Sequence, residues 1–239
     1  VSIPENLQRR LYSLDGPASI DDSLSKIIFD DGTLADPPAN HTDVYVFMYD
    51  RDCKQALFDY FKMTGARSLI PRYALGNWWS RNVEYNDLSA HELIRNFERK
   101  MIPFSVMLYD HDWHVREYGD QKNLKTGYTF NTKLFKNPKD MIEEFHKRGI
   151  RVGLVVNPTN GIYPMEQYYK QAMDYLKAAP NSIIQFDPLN PKYLDVLFKM
   201  FLHPLESMGV DFFWNDSTGD MDITKLWALN HYMYLDSGK

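Results

Sequence analysis

A helical stretch, a glycine, a near-continuous apolar run and then a polar loop recur along most of this chain. Runs that are apolar at consecutive positions, instead of alternating, belong to strands buried on both faces. Such strands, each led by a helix, make a parallel sheet covered by helices. Residues 73–79 give the first strand and 103–109 the second. Residues 150–156 give the third, and Gly209 opens a fourth through Val210, Asp211, Phe212, Phe213 and Trp214. Between them Ser89-Ala90-His91-Glu92 reads as a capping box ahead of Leu93, Ile94, Phe97 and Met101. Asn137-Pro138 opens a helix with Met141, Ile142 and Phe145 on one face, closed at Gly149. A helix over 165–177 and a short strand over 182–186 follow. Asn190-Pro191 then opens a helix with Leu194, Leu197, Phe198, Phe201 and Leu205 inward, and a last helix carries Leu226, Leu229 and Met233. The class is α/β. A doubly wound sheet and a (β/α)8 barrel both accommodate this order, and four main strands are half of a barrel.

Residues 1–42 differ. They are rich in Asp, Ser and Pro, with turn signals at Asp15-Gly16-Pro17 and Asp30-Asp31-Gly32 and short strand-like pieces such as Lys26-Ile27-Ile28-Phe29. A strand over 43–49 and a helix over 51–64 follow, with Asp50 as its cap and Gly65 closing it. The expected division is a β-rich segment and helix over 1–65 and a βα region over 66–239. Both ends read as cut from a longer chain.

Composition excludes several classes. The chain has 239 residues and a formal net charge of −5, which argues against a nucleic-acid footprint. A single cysteine, Cys53, rules out an internal disulfide and reads as a core residue of its helix. No stretch is long and apolar enough to span a bilayer. The compartment is open, with a slight lean to the cytoplasm. Aromatic residues reach 15%, a supply of flat faces for stacking on sugar rings or for packing a core.

In sheets wrapped by helices, function sits beyond the carboxyl ends of the strands. There the sequence places Trp78 and Trp79, then Asp110-His111-Asp112-Trp113-His114, then Asn157 and Asn160, then Asp187, then Trp214-Asn215-Asp216. Carboxylates and amides chelate vicinal hydroxyls and indoles stack on ring faces, so the set fits a polyol. Asp110, Asp112 and His114 alternate, and in extended geometry they would share one side and offer a divalent-metal site. Against a metal, no further histidine stands at a strand end, since His146, His203 and His231 fall inside helices. Phosphate-binding glycine loops and a Gly-x-Ser-x-Gly elbow are missing from the sequence.

Pro71-Arg72-Tyr73-Ala74-Leu75-Gly76-Asn77-Trp78-Trp79-Ser80-Arg81 resembles the first barrel strand of glycoside hydrolase family 31, the α-glucosidase and α-xylosidase family. Tyr109 to His114 is similar to its Asp-x-Asp-Tyr/Trp segment. Phe186-Asp187-Pro188-Leu189-Asn190-Pro191 is similar to its Asp-Phe-Thr-Asn-Pro segment, and Phe213-Trp214-Asn215-Asp216 to its nucleophile segment. The four motifs stand in order over about residues 43 to 236. Ser217-Thr218-Gly219 departs from the usual Met-Asn-Glu tail. The resemblance implies a partial (β/α)8 barrel of about four βα units, preceded by the end of a β-sandwich. It implies a retaining α-glycoside hydrolase without a cofactor or metal, acting on a carbohydrate. Asp216 would be the nucleophile and Asp110 would hold sugar hydroxyls. Trp78 and Trp214 would wall the subsite, Asp112 and His114 would brace the loop, and Asp187 would lie among the substrate-binding groups. The family's acid/base falls beyond Lys239, so the 239 residues alone are expected to be inactive. The alternatives are a metal-dependent barrel hydrolase and a non-catalytic sugar-binding remnant.

Overall fold

The computed structural model describes residues 10–12, 18–29, 34–66, 68–216 and 221–237. The turns expected at Asp15-Gly16-Pro17 and Asp30-Asp31-Gly32, and the Ser217-Thr218-Gly219 segment, lie outside the described residues. The chain divides into two compact units, Val1–Leu69 and Ile70–Lys239.

In the first unit, β1 (Arg10–Tyr12), β2 (Ala18–Asp21) and β5 (Val44–Phe47) form an antiparallel sheet. β3 (Ile27–Ile28) pairs with β4 (Leu34–Ala35). Helix α1 (Cys53–Thr64) is capped by the Asp52 side chain, which accepts from Gln55 N, so the cap is not Asp50. Cys53 opens the helix and is exposed, contrary to the core position expected of it. Helix α1 has no buried residue, so there is no core stripe for Cys53 to join.

The second unit is built on β6 (Trp78–Arg81), β7 (Val106–Tyr109), β8 (Arg151–Val156) and β9 (Phe212–Asn215), all parallel, in the order β6-β7-β8-β9. The α/β class with a parallel sheet is therefore present. The sheet is open among the described residues, with β6 and β9 as its edges. That is why β9 is only half buried and Trp214 is 51% exposed, although its apolar run reads as a buried strand.

Alternation sorts the strand residues onto two faces. Met107, Tyr109, Val152, Leu154 and Val156 face α2 (Asp87–Arg99) and α3 (Pro138–Lys147), where they pack with Ile94, Met141, Ile142 and Phe145. Trp79 and Phe213 join the same core from the edge strands. Each fully buried aliphatic chain of this kind contributes about 1.5–3 kcal/mol. A second core gathers α4 (Tyr169–Leu176), α5 (Pro191–Val196) and α7 (Ile223–Ser237), while α6 (His203–Ser207) puts Leu205 into the first.

Several boundaries differ from the sequence reading. Residues 72–75 form a 3-10 turn, with Ala74 N donating to Pro71 O and Gly76 N to Tyr73 O. Those donors are used locally, so the first strand begins at Trp78 and not at Tyr73. The capping box of α2 is Asn86 with Ser89, three residues before the expected start, and Met101 falls beyond the helix, 89% exposed. The strand expected over 182–186 reduces to a single bridge, Ile162 with Ile184. The helix after Asn190 holds its five inward residues buried, but Leu197–Leu202 is a π-helix. Pro204 has no N–H to offer Met200 O, and His203 N donates back to Phe198 O.

The opposite face of β8 and β9 makes one close approach. A Cβ on Gly153 would lie 2.3 Å from the Phe212 ring, which packs tilted against Trp78 at 5.2 Å between centroids. Gly153→Ala is expected to cost about 1–3 kcal/mol in urea denaturation through overpacking. The same change on a Phe212→Leu background is expected to cost less, because the two residues couple through one contact.

Candidate functional site

The alternation that buries Tyr109, Val156 and Phe213 against the helices turns the next residues the other way. Asp110, Asn157 and Asp216 follow β7, β8 and β9 on the face opposite the helical cover. Asp216 N donates to Val156 O at 2.9 Å, extending the β8–β9 ladder by one step. Asp110 is extended and opens a 3-10 turn over His111–Trp113, its Oδ1 accepting from His111 N at 2.7 Å. Trp113, 1% exposed, pins that turn to the sheet by donating from Nε1 to Val155 O at 2.8 Å.

The turn carries His111 between the two carboxylates. Its Nε2 lies 3.3 Å from Asp110 Oδ1 and 3.5 Å from Asp216 Oδ2. Asn157 Nδ2 donates to His111 Nδ1 at 3.0 Å, leaving Asn157 Oδ1 buried without a partner. Burial lowers the His111 pKa, with Asp110 opposing that shift.

The turn also separates Asp110, Asp112 and His114, so the shared side expected of an extended segment is not formed. Asp112 pairs with Arg116, whose Nε donates to Leu124 O at 3.1 Å. His114 is buried, with Nδ1 donating to Val115 O at 2.7 Å and Nε2 without a partner. Gly127, at φ 69°, passes close over its ring, where a Cβ would lie 2.9 Å from Cδ2. Burial pushes the His114 pKa down to about 4, so the ring is neutral at pH 7. Asp110, Asp112 and His114 do not form a ligand set. Among the described residues the set that gathers within 4.8 Å is His203, Glu206 and Asp236. There His203 Nε2 sits 2.9 Å from Asp236 Oδ2, tying α6 to α7, while Glu206 is exposed.

Trp78 is the first residue of β6 and pairs with Val106, at the amino end of the sheet. The register therefore sets it at the opposite end from Asp110 and Asp216, and its Nε1 donates to Ala74 O. Trp214 shares the Asp216 face by alternation. Asp187 acts on the buried Tyr193 phenol, whose pKa is raised chiefly by burial and then by this carboxylate.

The sequence reading gave no role to His111 or Glu166. Glu166 is 4% exposed and receives hydrogen bonds from Thr126 Oγ1 at 2.9 Å and Thr129 Oγ1 at 2.6 Å. Asn157 N donates to Thr126 O at 3.4 Å, so Glu166 braces the loop behind Asn157. Nothing in the sequence marks it, because its partners are about 40 positions away.

The sequence profile of the glycosyl hydrolases family 31 TIM-barrel domain matches residues 67–234. The chain belongs to this family. It is 26% identical over 207 residues to an α-xylosidase of Saccharolobus solfataricus, a match covering 87% of this chain and 26% of that protein. It is 30% identical over 142 residues to α-glucosidase 2 of Bacillus thermoamyloliquefaciens, covering 57% of this chain and 17% of that one. The chain thus spans about a quarter or less of these relatives' length. In fold it is similar to a family 31 α-xylosidase from a soil metagenome, crystallised with xylose. The TM-score is 0.63 at 17% identity, over 97% of this chain and 40% of that one.

The buried groups predict opposing pH slopes. Burial raises the Glu166 pKa from 4.5 to about 7. The folded state therefore favours the protonated acid, and this contribution is full below pH 4.5 and lost as pH rises through 7. The parent is expected to lose about 3 kcal/mol across that window relative to Glu166→Gln, measured as urea stability at pH 4.5 and pH 8. His114 works the other way. Its lowered pKa means stability is lost as pH falls from 6.5 towards 4, and His114→Gln is expected to remove that slope.

Proposed function

We propose that this chain forms the first half of the catalytic (β/α)8 barrel of a retaining α-glycoside hydrolase, α-glucosidase-like in its chemistry. Four βα units would fall in residues 66–239, and residues 1–65 would hold the end of a preceding β-sandwich and a linking helix. Family membership supports the reaction class. The observation that carries the site is the meeting of Asp110 and Asp216 on one imidazole beyond β7 and β9.

Asp216 is the nucleophile of this reading. A retaining glycosidase needs an ionised carboxylate that attacks the anomeric carbon and forms a glycosyl ester. An acid about 5–5.5 Å away protonates the leaving oxygen and then activates water. Asp216 is half exposed, which leaves its oxygens open to a sugar. Asp110, fixed by its own turn, would accept from sugar hydroxyls, and Trp214 would offer an indole face on the same side. Trp78 is left out of the subsite on account of its register. Asp112, through Arg116, and His114, beneath Gly127, would hold the loop that carries Asp110. Asp187 would act at the margin of the site.

In the full-length protein Asp216→Ala is expected to lower turnover of an aryl α-glycoside by at least about 10³-fold. A fully active variant would sink the assignment. Chelators are expected to leave turnover unchanged, and a proportional loss restored by a divalent ion would favour a metal-dependent hydrolase. The 239 residues alone are expected to show no turnover, since the reading assigns the acid/base to chain beyond Lys239.

A further inference from the structure

The polar environment of Asp216 is sparse. Among the described residues its backbone N–H is taken by Val156 O, and the one polar side chain in reach of its carboxylate is His111. Asp110 differs, because its Oδ1 is already held by the His111 backbone N–H at 2.7 Å. Removing the imidazole would leave Asp110 anchored and would take from Asp216 the one polar side chain that reaches it among the described residues.

His111 is itself held on both sides. The ring is 3% exposed, on a turn pinned by Trp113, and Nδ1 receives the Asn157 side-chain N–H. A nitrogen that accepts cannot also carry the proton of a neutral imidazole, so the proton sits on Nε2. Nε2 is the ring nitrogen nearest both carboxylates, 3.3 Å from Asp110 Oδ1 and 3.5 Å from Asp216 Oδ2. Catalytic hydrogen bonds are often long before substrate binds and shorten in the complex.

We propose that His111 is a positioning residue for Asp216: its Nε2–H, fixed in that tautomer by Asn157, holds one carboxylate oxygen so that the other faces the anomeric carbon. The proposal rests on the glycosidase reading above. The hydrogen bond orients an oxygen that does not attack. Burial lowers the His111 pKa, in keeping with a neutral ring that donates without competing for the proton. The charged groups bearing on the ring are Asp110, Asp216, Lys125 and Arg116, with neutral His114 behind it.

The test compares the full-length parent with His111→Leu, His111→Gln and Asp216→Ala on 4-nitrophenyl α-glucoside and α-xyloside. These substrates leave without strong acid assistance, so kcat/KM reports the attack. His111→Leu is expected to lower kcat/KM about ten- to a hundredfold, the range for a hydrogen bond to a charged group. Inhibition by the free sugar is expected to change less than about twofold, so the loss falls on kcat and not on sugar binding. His111→Gln keeps a donor and is expected to recover most of the loss. If the leucine variant fails to fold, judged by near-ultraviolet circular dichroism, the glutamine variant decides.

A folded His111→Gln protein as impaired as a structural knockout would overturn the proposal. So would a folded His111→Leu protein within about twofold of the parent. An inert parent, or a fully active Asp216→Ala, would instead overturn the glycosidase reading, and the positioning role would fall with it.

Discussion

Parallel strands in register fix which side chains share a face, and the candidate site follows from that constraint. Val156 and Phe213 are committed to the helical side by α2 and α3. The residues that close each strand are then obliged to emerge on the other side. Asp110, Asn157 and Asp216 arrive there from three adjacent strands without any loop having to reach. A one-residue slip of β9 against β8 would send Asp216 to the helical side and Phe213 into the open. The packing of Phe213 and the fit of Phe212 over Gly153 both resist that slip.

The chemistry is then shaped by what is buried behind the carboxylates. His111 and His114 are neutral groups taken out of water, and Glu166 is an acid whose charge burial disfavours. They link through Asn157, Thr126 and the loop that follows Trp113 into a polar layer beneath the strand ends. Such a layer holds groups in place when each member has a partner, and it is costly when one is removed. The anchors at the other end of the sheet are ionic. Asp211 accepts from Val152 N at 2.8 Å and contacts His146 and Arg151, fixing the start of β8 and β9.

Much of this was legible in the sequence, and the failures have physical causes. Asn137-Pro138, the 3–4 spacing of Met141, Ile142 and Phe145, and the apolar run to Val156 each name their element because local preference and burial agree. Trp78 was misplaced because apolar residues after Pro71 resemble a strand, while the backbone spends its donors in a 3-10 turn. The π-helix depends on one missing N–H at Pro204, invisible to a pattern of apolar spacing. The alternation of Asp110, Asp112 and His114 assumed extended backbone, whereas Trp113 draws the segment into a turn. His111 stood in plain sight between two carboxylates. Its value arises only when β9 brings Asp216 to the same imidazole, a contact between residues 105 positions apart.

As the proposed nucleophile, Asp216 is expected to form a covalent bond to sugar. Trapping the full-length protein with a fluorinated glycosyl fluoride, followed by peptide mapping, reads that bond directly. A stoichiometric mass increase is expected on the peptide containing Asp216, absent from Asp216→Ala. A label on another carboxylate, or turnover with no trapped ester, would contradict it.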